Sequence, residues 1–81
     1  MDFTESCRQL QESIRASCRQ LGASFKFVSV EAFPDRSMII HAMPIGGWDR
    51  GETPQDRIAA VIGEAGLADV PCEVRLYPLG V

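Results

Sequence analysis

Apolar residues at Phe3, Cys7, Leu10, Ile14, Cys18 and Leu21 recur at intervals of four, three, four, four and three, the spacing of one helical face. Asp2 stands where a residue would cap the first turn, with Glu5 three positions later in a capping-box arrangement, and Gly22 is a permissive stop. The pattern predicts a helix from about Phe3 to Leu21, with Arg8, Glu12, Arg15 and Arg19 on its polar side. Ser-Cys-Arg-Gln-Leu occurs twice in it, at 6–10 and 17–21. Two copies are too few to specify a supercoil, and recurrence within an amphipathic helix is sufficient explanation.

The period then changes from helical to two. In Ser24–Ala32, alternation places Val28, Val30 and Ala32 on one face and Phe25 and Phe27 on the other, with a bulge or twisted start as an option. Phe33-Pro34-Asp35-Arg36-Ser37 carries the chemistry of a reversing turn, because Pro fixes φ and Asp can bond its own backbone. Met38–Met43 is expected to return antiparallel as the second strand of a hairpin. Pro44 opens a glycine-rich loop around Trp48 that reaches Glu52.

Thr53 is placed to cap a second helix, with Pro54 at its first position, Asp56 at its third and Ile58, Val61, Ile62 and Ala65 on its apolar stripe. Gly66 ends it, and Leu67 is positioned to fold back on Ile62 in a Schellman stop. Gly63 inside the helix costs about 1 kcal/mol relative to Ala, which suggests close packing there or a frayed last turn. A final strand, Cys72–Tyr77, alternates Cys72, Val74 and Leu76 inward with Glu73, Arg75 and Tyr77 outward.

The expected fold is a single α+β domain spanning residues 1–81, in the order α-β-β-α-β, with two helices on one face of a three-stranded, mainly antiparallel sheet. That order resembles a ferredoxin-like plait without its first strand, and it is also similar to the helix, hairpin, helix and strand of a KH-type domain. The KH resemblance implies binding of single-stranded nucleic acid through a glycine-containing loop with basic flanks. Here Gly46 and Gly47 precede Trp48 and Asp49 instead of lying in a basic loop between two helices.

Charge bears on that alternative. Through Arg36 the chain is neutral, and the net charge of −3 arises entirely after Ser37, where Asp49, Glu52, Asp56, Glu64, Asp69 and Glu73 face Arg50, Arg57 and Arg75. A nucleic-acid binder normally shows the opposite balance, since phosphate neutralisation supplies most non-specific affinity. No apolar run is long enough for a membrane-spanning helix. The first residues lack a secretory pattern, so a cytoplasmic location without membrane attachment is expected.

Candidate chemistry is sparse. His41 is the sole imidazole, and Cys7, Cys18 and Cys72 are the only thiols, all on predicted apolar faces and therefore expected to be buried and structural. No Cys-x-x-Cys pair supports zinc, and no Gly-Lys-Ser/Thr follows the glycine-rich loop. No catalytic, metal or cofactor residue is therefore assigned.

An open sheet face carrying Phe25, Phe27, Ile39, Met43 and Tyr77 would call for a partner. Trp48, between glycines and with Asp49 and Arg50 as a polar rim, reads either as a cap over the core or as a binding hot spot. The expectation is a non-enzymatic protein-interaction module, a homodimer or a small accessory or inhibitor protein of the type phages and mobile elements encode. Its partner-binding candidates are Trp48, Asp49, Arg50, Phe25, Phe27 and Tyr77. A KH-like or plait-like nucleic-acid binder is the alternative, and a small-molecule enzyme comes third.

Overall fold

A computed structural model of the chain describes residues 2–18, 23–46, 48 and 52–78. The elements are α1 (Phe3–Ser17), β1 (Ala23–Ala32), β2 (Met38–Gly46), α2 (Pro54–Glu64) and β3 (Cys72–Leu76). This is the expected α-β-β-α-β order, and a ferredoxin-like arrangement is compatible with it.

Local chemistry sets the helix ends. Asp2 accepts the Glu5 amide at 2.8 Å, but Glu5 pairs with Arg8 instead of returning to the Asp2 amide, so only half of the expected box forms. At α2 both halves form: the Asp56 amide donates to Thr53 Oγ1 at 3.1 Å, and the Thr53 amide to the Asp56 carboxylate at 3.2 Å. The α2 C-terminus is a Schellman stop. Gly66 at φ 76° donates its amide to Gly63, and Leu67 donates to Ile62. Helix α1 ends at Ser17 with Cys18 as its cap, short of the expected Leu21. Arg19–Gly22, which hold most of the second Ser-Cys-Arg-Gln-Leu copy, lie outside the described residues.

The hairpin closes through Phe33–Ser37. The Arg36 amide donates to Phe33 and the Phe33 amide to Ser37, both at 3.0 Å, and Asp35 accepts from the Ser37 amide and hydroxyl at 3.0 and 2.6 Å. Those bonds favour the charged carboxylate and hold Asp35 below its ordinary pKa. Arg36 takes a left-handed φ of 65° and sets its guanidinium 5.1 Å from the Phe3 ring centre.

The strands are ordered β1-β2-β3, with β1 and β2 antiparallel but β2 and β3 parallel. The sheet is therefore mixed, because the connection through α2 returns the chain to the starting end of β2 before β3 begins. Strand β2 continues past Pro44, where a loop was expected, to Gly46. The β3 partners stop at Ala42, so the absent Pro44 N–H points to the side where the ladder has already ended.

One layer of core lies between helices and sheet. Cys7, Leu10 and Ile14 of α1 and Ile58 and Val61 of α2 meet Val28 of β1 and Met38, Ile40 and Ala42 of β2. The irregularity between Phe25 and Phe27 inserts Lys26 and turns Phe25 to the helix side, opposite Pro44, where it is 7% exposed. Phe25 is thus a core residue. That corrects its expected place on the open face and removes it from the candidate surface. Helix α1 packs on β1 and α2, whereas β3 is held chiefly by β2. Cys72, expected to be buried, keeps its inward direction but is exposed for want of helical cover.

Close packing does not explain Gly63, since a Cβ there would meet nothing within 4 Å, and the last turn is closed by the Schellman bonds and not frayed. Gly63→Ala should stabilise the protein by about 0.5–1 kcal/mol through helix propensity. Gly66→Ala should destabilise it by about 1 kcal/mol through the left-handed φ, and paired thermal melts check both. Asp35 stabilises the charged turn, so its contribution should be complete above its ordinary pKa of 3.8 and disappear as pH falls through its lower folded value. Denaturation of Asp35→Asn against the parent should accordingly show a stability gap that shrinks below pH 3.8.

Candidate functional site

The sheet face away from the helices carries Phe27, Ser29 and Glu31 from β1, Ile39, His41 and Met43 from β2, and Glu73 and Arg75 from β3, with Tyr77 just beyond the strand. Strand pairing sets these side by side: Phe27 is opposite Met43, Ser29 opposite His41, and His41 opposite Arg75. Tyr77 is 37% exposed, the large apolar residue most open to solvent among those described. Its ring lies 5.8 Å from that of Phe27.

A chain of polar contacts crosses all three rows. His41 Nδ1 is 2.7 Å from the Tyr77 hydroxyl, and His41 Nε2 is 3.2 Å from Glu31 Oε1. Imidazole and phenol are also stacked, 25° apart in plane. A carboxylate, an imidazole and a hydroxyl in hydrogen-bonded series is the outline of an activated nucleophile. Here the series lies across a sheet surface and uses both ring nitrogens, so it ties β1, β2 and the end of β3 together. Beside it, Arg75 pairs with Glu73 and has its pKa raised by that contact.

The thiols are elsewhere. Cys7 and Cys18 are buried under the helices, and Cys72 lies beside Met38 on the helix side, so the sheet separates them from His41. Burial pushes the Cys7 thiol up; partial desolvation, then neighbouring Cys7 and Glu73, raises that of Cys72 although the residue as a whole is exposed. Raised thiol pKa values oppose a nucleophilic thiolate. Among the described residues, no three His, Cys, Asp or Glu side chains are grouped to hold a metal ion. An open groove of about 620 Å³ runs between the hairpin turn and the start of β3, with Phe33, Pro34, Met38, Pro71 and Cys72 in its lining and Asp35 and Glu73 supplying acid.

Of the sequence candidates, Phe27 and Tyr77 meet on the open face, whereas Phe25 and Trp48 stack together at the core margin with ring centres 5.1 Å apart. Trp48 donates its indole N–H to the Ser24 carbonyl at 3.0 Å and is half-buried against the core. Asp49 and Arg50 lie outside the described residues. Sequence reasoning did not single out Glu31 and His41 for this face. Their signal was the period of two, which puts both on the same side as Phe27 and Tyr77.

Family models, curated proteins and solved structures give no match to the chain, so its own geometry carries the functional reading.

Trp48 covers Phe25 and the open end of β1, so Trp48→Ala should lower folding stability by about 2 kcal/mol, less than a fully buried tryptophan would. Chemical denaturation measures this directly. An unchanged midpoint would mean that the indole acts only toward a partner.

Proposed function

We propose that the protein is a non-enzymatic protein-interaction module that docks through the open sheet face. The carrying observation is the Phe27–Tyr77 pair, with Met43 opposite Phe27, on a sheet face that neither helix covers. A surface of this composition, with large apolar rings beside a row of polar groups, has the elements of an interface core and rim. Glu31 and Glu73 border it, while Arg75 is already engaged by Glu73. The fitting partner is a protein with an apolar patch bordered by basic residues, as an accessory or inhibitor protein would find on a larger target. Exposed rings on a sheet also suit base stacking, but the two carboxylates and the net charge of −3 oppose a phosphate backbone.

Phe27→Ala with Tyr77→Ala should keep the fold while weakening partner binding by about 2 kcal/mol or more. The test is affinity capture from the native host with parent and variant, followed by titration of the captured protein. Loss of a partner whose own apolar patch is needed supports the reading. Equal binding by the variant, or saturable binding of single-stranded RNA with a steep salt dependence, overturns it.

A further inference from the structure

We infer that two copies of the chain join edge to edge through β3, antiparallel about a two-fold axis at Val74, forming one continuous sheet. This surface is distinct from the open face, and the inference stands whether or not that face binds a partner.

Hydrogen bonding identifies the available edge. The Met38 amide donates to Pro71 and the Tyr77 amide to Ala42, so the odd-numbered residues of β3 direct their backbone groups to β2. Cys72, Val74 and Leu76 therefore direct theirs outward, and β3 has β2 as its strand partner among the described residues. The other edge is occupied differently: on β1, the outward amide of Val30 donates to Gln11 Oε1 of α1 at 3.2 Å.

Side chains then select the occupant and the register. With Val74 opposite Val74, each outward amide and carbonyl of one strand meets its counterpart on the other, and Cys72 falls opposite Leu76. On the open face Glu73 of each copy is then opposite Arg75 of the other, so the contact already present within one strand becomes an alternating ladder of charges. A register centred on Glu73 opposes two carboxylates, and one centred on Arg75 opposes two guanidiniums. Pro78, next in the outward-facing series, has no amide to extend the pairing. On the helix side the same union covers Val74 and Leu76, which the helices leave half-exposed, and the exposed Cys72. The strand is complementary to itself, the condition for an isologous two-fold contact.

Light scattering of the parent across concentrations should reach twice the 8.9 kDa chain mass. Glu73→Arg and Arg75→Glu, each on an exposed side chain, should separately raise the dimer dissociation constant about tenfold or more by setting like charges opposite. Mixed together, the two variants oppose only unlike charges and should recover the dimer as a heterodimer, which also shows that both are folded. Three results overturn the inference: a parent that stays monomeric at every concentration, a dimer indifferent to both reversals, or single-variant losses that mixing does not restore. Loss of dimer in Phe27→Ala with Tyr77→Ala, but in neither charge variant, would place self-association on the open face instead.

Discussion

Burial of β2 beneath the two helices organises everything else in this small chain. Met38, Ile40 and Ala42 are each 1% exposed or less, and they meet the α1 stripe and Ile58 in a single apolar layer. A chain of this length buries only roughly 60% of the surface its unfolded form exposes. Two helices of 15 and 11 residues can cover one sheet face and not two. The cover is also off-centre, because α1 lies on β1 and packs against α2, while β3 receives little of either. One-sided cover leaves an open face, and off-centre cover leaves an open edge.

The open face is not merely unfinished core. Its outer rows are tied by the Glu31–His41–Tyr77 chain, which places a polar network where a monomer would otherwise present a bare apolar sheet. Such a network engages both nitrogens of the half-buried imidazole and leaves the Phe27 and Tyr77 rings available. The face can therefore remain hydrated without a partner and still offer an apolar patch to one. A fully apolar face would favour indiscriminate association.

What could be read from the sequence was local. Thr53 with Asp56, and Gly66 with Leu67, are caps whose partners lie within five residues, and the hairpin turn at Pro34 and Asp35 is equally self-contained. The face of Phe25 was harder because Phe25 and Phe27 share a parity that strict alternation assigns to one side, and only the extra Lys26 separates them. Adjacent apolar residues at Phe27 and Val28 hinted at a break in period without locating it. Parallel pairing of β3, the thin cover over Cys72 and the meeting of Glu31 with His41 depend on contacts far apart in sequence, which no local period encodes. Trp48 belongs to the same class, since its indole finds Ser24 across 24 positions.

Edge pairing, if it occurred at both ends of the sheet, would build a filament and not a closed particle. The two edges here differ in the feature that decides between those outcomes. Gln11 takes the Val30 amide from the β1 side, so an incoming strand there must first displace a helix side chain that is itself held by the core packing of α1. On the β3 side the outward groups of Cys72, Val74 and Leu76 face no helix side chain among the described residues, but the strand is only five residues long, and Pro78, next in the outward series, has no amide to extend the pairing. An antiparallel union of β3 with itself consumes that short edge in both copies at once. The joined sheet then ends in two β1 strands, each under its own helix, and growth stops at two.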